Sequence, residues 1–365
     1  MDLTLGPDQE LLAQAVRRWL EKSCPLSLVR RLEADPLGFD PGLWRELAGL
    51  GFSGIELPAA YGGSEQSFLE VALVLEEMGR ALLPAPFLAS AVLATPLLLA
   101  LGSEAQRRRW LPRLADGRSV ASLALVEAGW RDPFGTPALE ARAAGPGLTL
   151  HGAKLFVPFA PQADLLLVVA AGPSLLAVER GAPGLASRRL ASLGGDPVYE
   201  VRFQATPAEA VGGAGAAAPA LARALARGAV GALAQALGAA ERALELSLEH
   251  AKTRHQFGRA IGSFQAVAHR LVDMRSDVDA LRFLVYRAAG SLGNGRESEL
   301  AVAAAQAYGG EALRRTFVHA HQVHGAIGFS TEHDLHLFTR RAKAVELAWG
   351  APAAWRERVA AAMGL

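Results

Sequence analysis

The run from Arg254 to Gln265 carries the most chemistry for its length: Arg-His-Gln-Phe-Gly-Arg-Ala-Ile-Gly-Ser-Phe-Gln, set between two long helical stretches. Arg254 is a fixed cation, Gly258 and Gly262 let backbone approach a ligand, and Phe257 and Phe264 add flat apolar faces. That combination suits a diphosphate with an attached aromatic group. It equally suits a helix-to-helix corner with both phenylalanines in the core, and spacing alone leaves the two readings open. A second string, Gln322-Val323-His324-Gly325-Ala326-Ile327-Gly328-Phe329, sets a polar side chain before a glycine-rich helix break. Backbone N–H groups exposed there can face an anion, although Gly-x-x-Gly is also a common way for a helix to end.

Histidines crowd the same region. His321 with His324, and His333 with His336, have the i,i+3 spacing that sets two imidazoles on one helix face, and His319 lies nearby. With no cysteine close by and no H-E-x-x-H arrangement, they read as packing or interface residues, and no metal is expected.

The elements that must position these strings follow from periodicity. Leu11, Leu12, Ala15, Val16 and Trp19 recur on one helix face, and Leu69, Ala72, Leu73, Leu75, Glu76 and Met78 on another, so residues 1–118 read as a helical domain. Proline and glycine break it at Asp35-Pro36, Leu57-Pro58, Tyr61-Gly62-Gly63 and Leu83-Pro84-Ala85-Pro86. Residues 119–212 change to short apolar, β-branched runs between turn residues and read as a β-domain, barrel-like in kind. A glycine- and alanine-rich connector from Gly212 then leads into alanine- and leucine-rich helical stretches over 213–365, broken near Gly258, Gly293-Asn294-Gly295 and Gly325–Gly328, which read as a helix bundle. The fold class is therefore α+β and multidomain. No G-x-G-x-x-G follows a strand, so a Rossmann site is not supported.

Composition narrows the partners. The 37 basic side chains balance 36 acidic ones, which gives no global signal for nucleic acid or an anionic membrane. The apolar stretch Ala91–Leu101 is interrupted by Pro96 and falls well short of the ~20 residues a membrane span needs. Cys24 is the only cysteine, which rules out an internal disulfide, and acidic residues at Asp2, Asp8 and Glu10 are unlike a secretion signal. A cytoplasmic location is the expectation.

The string R-x-x-F-G-x-x-I-x-x-F-Q (Arg254–Gln265) followed by Q-x-x-G-x-x-G (Gln322–Gly328) resembles the acyl-CoA dehydrogenase family. The resemblance is co-linear over essentially the whole chain, through Leu43–Leu47, Leu57–Gly63, Glu76–Arg80 and Leu111–Gly117. It implies a helical N-terminal domain, a central β-domain and a C-terminal four-helix bundle, assembled as a homotetramer or homodimer, with a hetero-oligomer also allowed. It further implies FAD as cofactor. Leu123, Leu125 and Val126 would line the flavin ring with Phe156 and Pro158, while Arg254, Phe257, Ile261 and Phe264 would hold the diphosphate and adenosine with Gln322, Gly325 and Ala326 of a neighbouring chain. The implied reaction removes two hydrogens across the α and β carbons of an acyl-CoA thioester, of fatty-acid type among others, and sends electrons to an electron-transfer flavoprotein. A flavin oxidase on the same fold is a minor reading.

The sequence departs from that pattern where the chemistry is most demanding. The family's usual catalytic carboxylate falls at Trp349, whose indole cannot take a proton at neutral pH. The alternative base position of some members falls at Gly228, the arginine that accompanies the usual base falls at Ala229, and Pro158 stands where a threonine hydroxyl is usual. Two explanations compete. A relocated base is one, with Glu346 the nearest candidate about one helical turn before Trp349, and with Glu332 and Asp334 weaker. A silent or FAD-sharing subunit of a hetero-oligomer is the other, in which the backbone N–H of Trp349 could still serve a thioester carbonyl.

Overall fold

A computed structural model describes residues 4–130, 133–145, 147–293 and 298–365. The helix break expected at Gly293-Asn294-Gly295 falls largely outside these residues. The chain opens with α1 (Pro7–Ser23), α2 (Leu26–Ala34), α3 (Pro41–Gly49) and α4 (Phe68–Ala81). A π-helical stretch at Leu88–Ala94 runs straight into α5 (Thr95–Leu101), and α6 (Glu104–Ala115) follows. Local chemistry sets several of these starts. Asp40 accepts the N–H groups of Gly42 and Leu43 ahead of Pro41 at the first turn of α3, and Ser103 and Gln106 cap each other's N–H groups at the start of α6.

The centre of the chain is a mixed sheet: β1 (Ala121–Ala124), β2 (Glu140–Ala144), β3 (Gly147–Pro158), β4 (Leu165–Ala170), β5 (Ser174–Glu179), β6 (Leu185–Leu190) and β7 (Val198–Val211). Its order is β1-β4-β5-β7-β3-β2, with β6 also paired to β7. Only the β1–β4 pair is parallel among the described pairings. The long β7 joins both halves, because Val198–Phe203 pair with β6 while Glu209–Val211 pair with β5. Leu150, Val157, Leu166, Val168, Leu176, Val178, Val201 and Phe203 meet in one core, so the sheet wraps around its own apolar face. Every residue of β4 is buried, which explains its unbroken apolar run.

Helices return with α7 (Ala218–Thr253), a small hairpin of β8 (His255–Gln256) and β9 (Arg259–Ala260), then α8 (Gln265–Gly293), α9 (Ser298–His324), α10 (Leu335–Ala348) and α11 (Pro352–Ala362). The architecture is thus a helical N-terminal part, a central sheet and a helical C-terminal part. By packing, the residues fall into two compact units, Met1–Val29 with Phe68–Leu83 and Ala229–Leu365, and Arg30–Ser67 with Pro84–Gly228. No helix among the described residues is long and apolar enough to cross a membrane.

In the first unit α4 and α7 cross at backbone contact. A Cβ on Gly79 would lie 1.9 Å from the Gln235 carbonyl oxygen, and one on Gly238 would lie 1.8 Å from that of Glu76. Charges close the crossing: Arg17 pairs with Glu77 at 2.7 Å, Arg80 with Glu245 at 2.5 Å, and buried Glu76 accepts from Arg282 at 3.1 Å and from the Tyr286 hydroxyl at 2.8 Å. Substituting Gly238→Ala forces the helices apart and is expected to cost about 3 kcal/mol, the upper range for overpacking. Urea unfolding measures it, and a variant as stable as the parent would mean the crossing is slack.

Candidate functional site

The structure brings the two stretches that the resemblance implies for the flavin ring side by side in the second unit. Leaving β1, the Val126 carbonyl accepts the Leu155 N–H at 2.8 Å, and the Ser122 hydroxyl donates to the Pro158 carbonyl at 2.6 Å. Between these bonds lies Lys154, with no solvent exposure, whose ammonium donates to the Leu125 carbonyl at 2.9 Å and to Glu127 at 2.6 Å. Glu127 also accepts the N–H groups of Ala138 and Leu139. Burial works against its charge, but Lys154 and those N–H groups outweigh it and hold the carboxyl below its usual pKa. Burial pulls the Lys154 ammonium down, and Glu127 only partly offsets that.

A register shift in β3 between Lys154 and Val157 turns Phe156 outward, with φ at +54° and 55% of the residue exposed. Leu123 and Leu125 are buried, so the apolar surface on offer comes from exposed Phe156 with half-buried Val126 and Pro158. Sequence reasoning missed the Lys154–Glu127 bridge. Its signal was a lone lysine inside a β-region whose other cations are all arginine.

In the first unit the Arg254–Phe264 string is a hairpin with Phe257 and Gly258 at its tip. Both take positive φ, +52° and +80°, as a two-residue turn of this hand requires. Phe257 is 93% exposed, which overturns the core-corner reading for that residue. It meets Phe264 edge-on at 6.1 Å, Arg259 lies 4.1 Å over the Phe264 ring, and the Ile261 N–H donates to the Arg254 carbonyl at 2.8 Å. Arg254, Phe257, Ile261 and Phe264 are therefore close neighbours, and the exposed Arg254 guanidinium has no partner among the described residues.

Gln322, Gly325 and Ala326 are exposed at the end of α9 and in the turn Gly325–Phe329. Gln322 and Gly325 line a cavity of about 470 Å³ together with Phe329, His321 and Glu346; Ala326 lies outside that lining. Glu346 is tied to Lys343 at 2.8 Å with 16% of its side chain exposed. Glu332 is exposed and Asp334 stands at the other end of α10 from Trp349. Trp349 itself is buried at the C-terminus of α10. Its N–H donates to the Val345 carbonyl at 3.2 Å, so that donor is already engaged within the helix. Its carbonyl accepts the Trp355 indole N–H at 2.8 Å. Gly228 and Ala229 are buried in α7.

The histidines pair differently from their spacing. His324 stacks on His250 of α7 at 4.7 Å and lies 4.8 Å from His333, while His321 stacks on Phe329 and shares a hydrogen bond with Thr339. His333 precedes α10, so it shares no helix face with His336.

The family profile described as "Acyl-CoA dehydrogenase, N-terminal domain" matches residues 6–118, and "Acyl-CoA dehydrogenase, C-terminal domain" matches residues 218–364. The chain belongs to the acyl-CoA dehydrogenase family. Acyl-CoA dehydrogenase FadE27 of Mycobacterium tuberculosis is 31% identical over 96% of this chain and 95% of its own length. A solved structure of the ChsE4–ChsE5 complex from the same organism superimposes with a TM-score of 0.91 at 30% identity, covering 100% of this chain and 99% of that one. The FAD complex of PigA superimposes with a TM-score of 0.91 at 25% identity over 100% of both chains.

FAD is accordingly the cofactor of this acyl-CoA dehydrogenase family member, an oxidoreductase by membership. The residues fit it. Each unit presents an outward aromatic on positive-φ backbone, and the hairpin adds an uncommitted guanidinium suited to a diphosphate.

Two outcomes follow from this geometry. Lys154→Met leaves the Glu127 carboxylate without its cation and is expected to cost about 3–5 kcal/mol in urea unfolding, with the double variant carrying Glu127→Gln losing less; equal losses would show that the pair carries no special weight. Burial pushes the His324 imidazole down from 6.5 to about 4. The unfolded chain takes up that proton first, so this contribution to stability is full above pH 6.5 and is lost as pH falls toward about 4. His324→Asn should flatten that acid-side decline in thermal denaturation.

Proposed function

We propose that this chain is the FAD-sharing subunit of an acyl-CoA dehydrogenase whose proton-abstracting carboxylate is supplied by a different polypeptide. Trp349 carries the reading: the position where the family keeps its base holds a buried indole packed at a helix end. An indole has no lone pair basic enough to remove an α proton. Likeness to the ChsE4–ChsE5 complex, which pairs two polypeptides, and to FadE27 supports the reading.

The chemistry supplied by FAD when bound is acceptance of the β-hydrogen as hydride. This chain's part is to hold and shield. Val126, Phe156 and Pro158, braced by the Lys154–Glu127 bridge, with buried Leu123 and Leu125 behind them, form the wall for the ring. Arg254, Phe257, Ile261 and Phe264 offer charge and apolar cover to the dinucleotide, with Gln322, Gly325 and Ala326 serving a neighbouring chain's. Electrons leave to a separate electron-transfer flavoprotein. A second reading has one observation in its favour: Glu346 lines the same cavity as Gln322 and Gly325, as a relocated base could.

The test is the visible flavin spectrum during anaerobic addition of straight-chain and ring-bearing acyl-CoA thioesters. The chain alone should show no bleaching, whereas the chain purified with a family partner that keeps its carboxylate should bleach, with or without Glu346→Gln. Bleaching by the chain alone that disappears in Glu346→Gln would replace this reading with the relocated base.

A further inference from the structure

A cavity of about 450 Å³ lies in the Pro84–Gly228 unit between α5 and the first turns of α7. Leu99 and Pro96 from α5 and Ala220 and Ala224 from α7 make its walls apolar. Two guanidinium groups enter this lining, Arg223 and Arg227, which stand four residues apart and so on one face of α7.

The two cations are not equivalent. Arg227 is 12% exposed and forms an ion pair with Glu56, so its charge is met inside the protein. Arg223 is exposed and makes no hydrogen bond or ion pair among the described residues. The first turn of α7 holds no acidic residue to claim it. An apolar cavity with one uncommitted fork of N–H donors suits a ligand that has an apolar body and an anionic end.

We propose that Arg223 is the anion clamp of this cavity, holding a negatively charged group of the thioester substrate while Leu99, Pro96 and Ala220 enclose an apolar part beside it. This rests on the thioester reading above. The anion is either a phosphate of the carrier or a carboxylate on the acyl group; both present planar or tetrahedral oxygens to the same fork.

Calorimetric titration separates these sources without needing turnover. FAD-loaded protein, with its partner chain where one copurifies, is titrated with butanoyl-CoA, with S-butanoyl-pantetheine, which has neither anion, and with S-glutaryl-pantetheine, which has only the acyl carboxylate. Arg223→Gln should weaken an anion-bearing ligand by about tenfold or more, the worth of one charge-assisted hydrogen bond, and leave S-butanoyl-pantetheine unchanged. Arg223→Lys should recover part of the loss. A loss confined to butanoyl-CoA assigns the carrier phosphate, and one confined to the glutaryl ligand assigns the acyl carboxylate. Equal affinities across all three ligands, or an equal loss across all three, overturn the clamp. Ala220→Trp fills the cavity and should weaken all three; unchanged binding there would also overturn it. If the parent protein binds no thioester at all, the thioester reading itself fails, a result distinct from loss of the clamp alone.

Discussion

A charged amine with no exposure to water sets the terms for the central unit. Removing an ammonium from solvent is costly unless its donors and its charge are both met, and Lys154 meets them with the Leu125 carbonyl, the Glu127 carboxylate and the Trp130 ring at 5.8 Å. Satisfying all three requires the end of β1 and the middle of β3 to lie at fixed separation. The register of β3 shifts just past Lys154, and Phe156 emerges into solvent there on left-handed backbone. An arginine would fit poorly here, since its planar fork cannot direct donors to a carbonyl and a carboxylate from one point. The exposed ring thus stands two residues from a buried charge.

The first unit is governed by a different constraint, which is close approach. With glycines at 79 and 238, α4 and α7 touch through backbone, and side chains near the crossing are forced to its edges. That is where the ion pairs of Arg17, Arg80 and Arg282 form. Glu76 is buried at the centre, and burial pushes its carboxyl up to about 7 in spite of Arg282 and Tyr286. Its contribution to stability is full at low pH and declines as pH rises through that value, opposite in sign to His324. Over the mildly acidic range where both windows overlap, the two buried groups therefore push stability in opposite directions.

Much of this was legible in the residue pattern, and the remainder fails for identifiable reasons. Period-3.6 runs located α1, α4 and the C-terminal helices, and β-branched runs between turns located the sheet, because both depend only on local geometry. The Phe-Gly pair at 257–258 marked a turn, but nothing local says whether a turn's phenylalanine faces the core or solvent, and here it faces solvent. Histidine spacing pointed to pairs along one helix, whereas His324 finds His250 and His333, a contact set by how α7 meets the end of α9. Lys154 and Glu127 belong to different strands' surroundings, and Arg227 finds Glu56 across a still longer separation. Such pairings exist only once the chain is folded.

The end of α10 shows why an exchange of carboxylate for tryptophan is physically easy. A carboxylate at a helix C-terminus faces the negative end of the helix dipole, which raises its proton affinity and costs stability; that is useful in a base and a burden otherwise. Tryptophan removes the conflict. Its ring is buried, and its carbonyl, one of the groups a helix end leaves unsatisfied, accepts the indole N–H of Trp355 and so ties α10 to α11. One turn earlier on α10, Glu346 is paired with Lys343. Tryptophan at this residue thus contributes a buried ring and a tie between α10 and α11, which is a structural role that needs no proton transfer.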